Sequence, residues 1–121
     1  MRQEGFYMNT IHILSESAAV GTRLRDILYQ DGFADIAVSD VSRIAAERQD
    51  GILIIYAKTR ISDLMRSSAN CGCPVILLLN PDCYARYLDR ARHFGITLLL
   101  MPVVPYMLLD AVQNAVRQVI S

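Results

Sequence analysis

The chain has no excess of charge of either sign: Lys plus Arg and Asp plus Glu each number 12 in 121 residues. A balanced chain has no broad cationic footprint, which argues against direct nucleic-acid binding by this domain. Long apolar runs are missing too, and the longest falls far short of the roughly 20 residues a membrane helix needs. The opening MRQEGFYMNT has no hydrophobic core of the kind a secretory signal carries. Cysteine is scarce and odd in number, at three, so the natural compartment is a reducing cytoplasm. The glycines are scattered turn residues that build neither a GxGxxG fingerprint nor a P-loop. No Ser or Cys nucleophile has a base near it in sequence, so an enzyme is not expected.

What the chain does have is material for a core. It is 53% hydrophobic and 20% charged, too apolar for disorder and the right length for one domain. Residues 1–121 are read as that domain, with 1–8 as a flexible arm because Met8 can serve as a second start. The pattern then alternates. TIHILS gives a first strand over Ile11 to Leu14. In the next segment Val20, Leu24, Ile27 and Leu28 fall at helical spacing. Ser15 or Ser17 caps that helix, and Asp31-Gly32 stops it. ADIAVSD gives a second strand with Ile36 and Val38 on one face, and SRIAAERQD a short helix. ILIIYA is the third strand, followed by a helix for which Ser62 is the expected cap. Val75 to Leu79 form the fourth strand. Asn80-Pro81-Asp82 turns the chain into a helix whose buried side carries Tyr84, Tyr87, Leu88 and Ala91. ITLLLMP is the fifth strand, and Pro105 opens the last helix. The third to fifth strands are nearly continuous in Val, Ile and Leu, as in strands buried on both faces. Such alternation predicts a flavodoxin-like doubly wound α/β fold, a five-stranded parallel sheet in order 2-1-3-4-5.

That fold gathers its chemistry at the carboxyl ends of its strands. Here those ends read Ser15-Glu16-Ser17, Ile55-Tyr56-Ala57, Leu79-Asn80-Pro81 and Met101-Pro102. With the element order, IHILSES, CPVILLLN and GITLLLMP resemble the receiver domain of two-component response regulators. The segment FGITLLLMPVVPYMLLDAVQNAVR is most similar to receivers of ANTAR-type transcription antiterminators. The resemblance implies a signalling role, and its departures imply a degenerate one. In receivers, paired acids after the first strand hold Mg²⁺, and an Asp ending the third accepts a phosphoryl group. A hydroxyl after the fourth strand and a Lys after the fifth grip that group. The acid pair maps here to Ser15 and Glu16, the acceptor to Ile55 or Tyr56, the hydroxyl to Leu79 and the Lys to Met101. Glu16 alone is a poor site for Mg²⁺, which wants several hard oxygens. Leu79 and Met101 cannot neutralise a phosphoryl dianion.

Taken by themselves, the same residues have plainer readings. Tyr56 is a space filler with its hydroxyl at the surface, the alternative being a phenol that gates a pocket. Glu16 is a first-turn acid complementing the helix dipole, the alternative being a lone metal ligand. Cys71-Gly72-Cys73 with Cys83 lacks the ligand number and spacing of structural zinc, so neither a metal nor a cofactor is expected. Arg86, Arg90 and Arg92, interleaved with acids, read as a solvated helix face. On the last helix, Leu108, Val112, Ala115 and Val119 form one apolar stripe, with Leu109, Val116 and Ile120 beside it. One stripe suffices to pack on a sheet, so the excess points to a partner surface or a continuing coiled coil. A helical extension and an RNA-binding module would follow that helix in an ANTAR protein. Neither is in the sequence, so a trimmed or stand-alone domain is expected.

The expected function is therefore a non-phosphorylatable pseudo-receiver in a transcription (antitermination) regulator. It would act as a protein-interaction or dimerisation module through the helix after the fourth strand, the fifth strand and the last helix. Tyr84, Tyr87, Met107, Leu108, Val112 and Val119 are the candidate contacts. Two alternatives stand beside it: a small-molecule sensor using the strand-end crevice, made more apolar by Tyr56, Leu79 and Met101, and a phosphorylatable receiver with an unusual acceptor such as Asp40 or Asp50.

Overall fold

Five parallel strands pair in the order β2-β1-β3-β4-β5, the flavodoxin-like arrangement. The computed structural model describes residues 10–41 and 51–120. The strands are β1 (Ile11–Ser15), β2 (Ile36–Ser39), β3 (Ile52–Tyr56), β4 (Val75–Leu79) and β5 (Thr97–Leu100). The described helices are α1 (Ala18–Gln30), α2 (Ile61–Ala69), α3 (Pro81–Phe94) and α4 (Pro105–Ile120). The expected arm at 1–8, the short helix expected between β2 and β3, and Asp50 lie outside the described residues.

β3 and β4 are buried at every position, because each lies inside the sheet with helices on both faces. Side-chain alternation divides the core accordingly. Ile52, Ile54, Tyr56, Ile76 and Leu78 meet Leu24 and Leu28 of α1 and Leu108, Val112 and Ala115 of α4. Leu53, Ile55, Leu77 and Leu79 meet Ile61, Leu64 and Met65 of α2 and Ala91 of α3. β2 is an edge strand: its Ile36 is half-buried against the first cluster, and Val38 is 39% exposed.

The helix ends follow local chemistry. Ser17 is the N-cap of α1, its hydroxyl accepting from the Val20 N–H at 3.3 Å. Gly95 ends α3 in the left-handed conformation at φ 72°. Pro105 opens α4, where its missing N–H would have had no helical partner. The Ser62 cap is a correction. α2 already begins at Ile61, its N-cap is Arg60 at φ 54°, and no side chain bonds the cap. A second correction concerns α3, of whose residues only Ala91 is buried. Tyr84, Tyr87 and Leu88 are half-buried, on a helix whose other positions include the charged Asp82, Arg86, Asp89, Arg90 and Arg92.

Among the described residues, no helix is long and apolar enough to cross a membrane.

Candidate functional site at the strand ends

Register brings the candidate residues together. Ser15 lies beside Tyr56 and Tyr56 beside Leu78, while the Glu16 N–H donates to the Tyr56 carbonyl at 3.1 Å. The Met101 N–H donates to the Leu79 carbonyl at 2.9 Å, and the Met101–Pro102 peptide is cis. Tyr56 is the last residue of β3. Ile55, the other reading of the acceptor position, faces the opposite cluster with 1% exposure. Leu79 is also fully buried on that side. Met101 is half-buried against the first cluster.

Glu16 does not act as a first-turn acid. It precedes the Ser17 cap, and α1 has no acid in its first turn. Its carboxylate instead reaches across to the loop after β3. One oxygen accepts from the Lys58 N–H at 2.6 Å and the Thr59 N–H at 3.0 Å. The other accepts from the Thr59 hydroxyl at 3.1 Å. Successive N–H groups pointing one way form an anion-binding concavity. Here that concavity already contains an anion, supplied by the chain itself. The loop then closes through Arg60 in the left-handed region, which costs a non-glycine residue roughly 1 kcal/mol.

Partial burial pushes the Glu16 carboxyl up. The Thr59 and Lys58 N–H groups, the Thr59 hydroxyl and the Lys58 charge outweigh that effect and hold it below the usual carboxylate range. The sign for stability follows from linkage. A lowered folded value means that the unfolded chain takes up the proton first. The stabilisation is present above the ordinary carboxyl value of 4.5 and is lost as pH falls through the lower folded value. Glu16→Gln is therefore expected to lose about 1 kcal/mol at neutral pH, a modest figure because the group is partly exposed. Urea melts from pH 7 to pH 3 should show the two proteins converging at the acid end. A gap that stays constant across that range would show that the carboxylate charge is not what holds the loop.

The other polar groups of the crevice are also paired within it. The Tyr56 hydroxyl donates to Asn80 Oδ1 at 3.3 Å, joining the ends of β3 and β4. Tyr56 is 6% exposed, so its hydroxyl is tied down inside the crevice rather than set at the surface. The Ser15 hydroxyl donates to the Ser17 carbonyl at 2.6 Å and accepts from the Ser17 N–H at 3.1 Å. Asn80, named from the sequence only as a strand-end and turn residue, and Thr59, which nothing in the sequence marked, complete this set. Asp40 lies exposed just beyond β2, at the sheet's edge strand.

No disulfide joins the three cysteines, of which Cys71 is buried and Cys73 and Cys83 are half-buried. Burial pushes the Cys71 thiol up, away from the reactive thiolate. Among the described residues, no three His, Cys, Asp or Glu side chains gather closely enough to hold a metal ion.

The candidate interface residues separate into two groups. Leu108 and Val112 are wholly buried, which corrects their assignment to a contact surface: they form the stripe that seats α4 on the sheet. Val119 of the same stripe is partly buried against that cluster, and so are Leu109 and Val116, expected as surplus. Tyr84 and Tyr87 are half-buried, and Met107 is 51% exposed. Three further exposed apolar residues went unmarked in the sequence: Leu100 at 48%, Val104 at 50% and Tyr106 at 76%. All lie between the end of β5 and the first turn of α4. No protein-family model matches this chain, and no curated protein does either.

Proposed function

We propose that this chain is a pseudo-receiver: a non-catalytic signalling module that has given up the phosphate switch and works by protein contact. By its resemblance, the parent process is transcription regulation of the antitermination kind, inside a reducing cytoplasm. The observation that carries the reading is the Glu16 carboxylate seated on the Lys58 and Thr59 N–H groups. An incoming phosphoryl dianion would have to displace that carboxylate and would meet its charge. Leu79 and Met101 offer no compensating donor, and Tyr56 offers no carboxylate to phosphorylate. The Tyr56–Asn80 and Ser15–Ser17 bonds leave the crevice's polar groups paired with one another. That favours an interaction module over a ligand sensor.

The output surface we assign is the end of β5 with the start of α4, where Leu100, Val104, Tyr106 and Met107 stand exposed. Apolar groups gathered on one part of a surface mark contact sites more often than scattered ones do. Its occupant is a second copy or another protein of the same regulatory system.

Two measurements test the lost switch. After incubation with acetyl phosphate and Mg²⁺, the intact mass is expected to remain that of the unmodified chain. With beryllofluoride and Mg²⁺, the melting temperature is expected to stay where it is. A phosphoryl adduct on any Asp, removed by alkali or hydroxylamine, or saturable stabilisation by beryllofluoride, would overturn the reading.

A further inference from the structure

Arg66, Arg86 and Arg90 converge on one cleft between α2 and α3, with Ser62, Asp89, His93 and Phe94 completing its lining. Taken from the sequence, α3's arginines look like a solvated face, because Arg66 belongs to a different helix. Packing changes that picture. Arg86, Arg90 and His93 fall on one side of α3, and α2 sets Arg66 and Ser62 opposite them.

The acids nearby do not cancel this charge. Asp89 lines the cleft but is 99% exposed, and its ion-pair partner is Arg92 at 3.7 Å. Asp63 holds Arg66 at 3.4 Å but is shared with Arg60 at 3.6 Å. Arg86 makes no ion pair among the described residues. Arg90 is fixed in place from two sides. Its guanidinium donates to the Ser62 hydroxyl across the cleft and lies 5.5 Å from the Tyr87 ring centre. A guanidinium held this way loses little freedom when it takes a ligand.

We propose that this cleft binds a small phosphate-bearing ligand carrying more than one negative charge. Guanidinium forks match phosphate oxygens in a bidentate geometry that an ammonium cannot reproduce. Three guanidiniums, set against an exposed Asp89 and an Asp63 shared with Arg60, suit a multiply charged phosphate better than a lone carboxylate. The cleft measures about 680 Å³, within the roughly 300–1,000 Å³ that small-molecule sites occupy. The positive charge is local, on a chain whose formal net charge is zero. A nucleic-acid strand, which needs an extended cationic track, fits less well.

Inorganic pyrophosphate is the probe, titrated at constant ionic strength and followed in amide nitrogen–proton spectra of the whole chain. The expected result is saturable shifts centred on Ser62, Arg66, Arg86, Arg90 and His93. Arg86→Gln with Arg90→Gln should weaken binding about tenfold or more, while Arg23→Gln on α1 should leave it unchanged. Arg86→Gln alone, at an exposed position, gives a smaller drop and serves if the double variant does not fold. Drift that never saturates, shifts centred elsewhere, or binding undiminished by these substitutions would each overturn the proposal.

Discussion

Gly51→Ala is expected to unfold most of the molecule, at a loss of about 3–5 kcal/mol, a large share of a small domain's whole stability. Gly51 enters β3 at φ +107°, outside the conformations that L side chains adopt readily. A methyl group there would lie 2.0 Å from the Thr10 carbonyl oxygen and 2.8 Å from the Thr10 nitrogen. Both are backbone atoms, so no rotamer change relieves the clash. The Thr10 carbonyl also accepts the Ile52 N–H at 3.0 Å, a bond at the head of the β1–β3 ladder. Moving Thr10 aside breaks that bond and parts the two central strands where their pairing starts. Gly32 is the control. Its φ is +99°, but a methyl group there meets nothing within 4 Å. Gly32→Ala should therefore show the backbone penalty alone, about 1 kcal/mol. Urea unfolding of the two variants beside the parent chain gives the comparison. Equal losses would mean that the close approach of Gly51 to Thr10 contributes nothing.

Gly51 also shows how far the sequence can be read. A turn residue was plain there, but the tight fit of Gly51 against Thr10, forty-one positions earlier, was not. The same division runs through the fold. β3 and β4 were legible because burial on both faces leaves a run of Ile and Leu with no polar interruption. The start of α1 was legible because Ser17 acts on an N–H three residues away. Ser62 misled for the converse reason. A serine near a helix start reads as a cap, yet its hydroxyl here faces Arg90 on another helix. The strand-end residues were legible as positions, since chain order and strand length fix them. Their partners were not: Glu16 meets Lys58 and Thr59 across more than forty residues, and a backbone N–H has no residue type to betray it. That Ile55 and Tyr56 end β3 without a carboxylate was therefore readable from the sequence. The seat of the Glu16 carboxylate on the Lys58 and Thr59 N–H groups required the structure.

Leu108→Ala and Met107→Glu are adjacent substitutions expected to have opposite effects, and the contrast tests which side of α4 communicates. Leu108 has 0% exposure and sits among Leu24, Leu28, Leu78 and Val112. Truncating it removes buried surface and leaves a cavity, at a loss of about 3–4 kcal/mol. Once folded, however, the variant keeps its surface, and its association behaviour at low temperature should match the parent's. Met107 has half its surface in solvent and belongs with the exposed Tyr106, Val104 and Leu100. A glutamate there leaves the core intact, so stability should move by no more than about 0.5 kcal/mol. The same charge placed in an apolar contact must be desolvated without a partner, and association through this face should be lost. Sedimentation across a concentration series, paired with urea melts, reads both quantities on each protein. If Met107→Glu associates like the parent, the output surface is elsewhere. If the parent itself stays monomeric throughout, the second copy is excluded as occupant of this face.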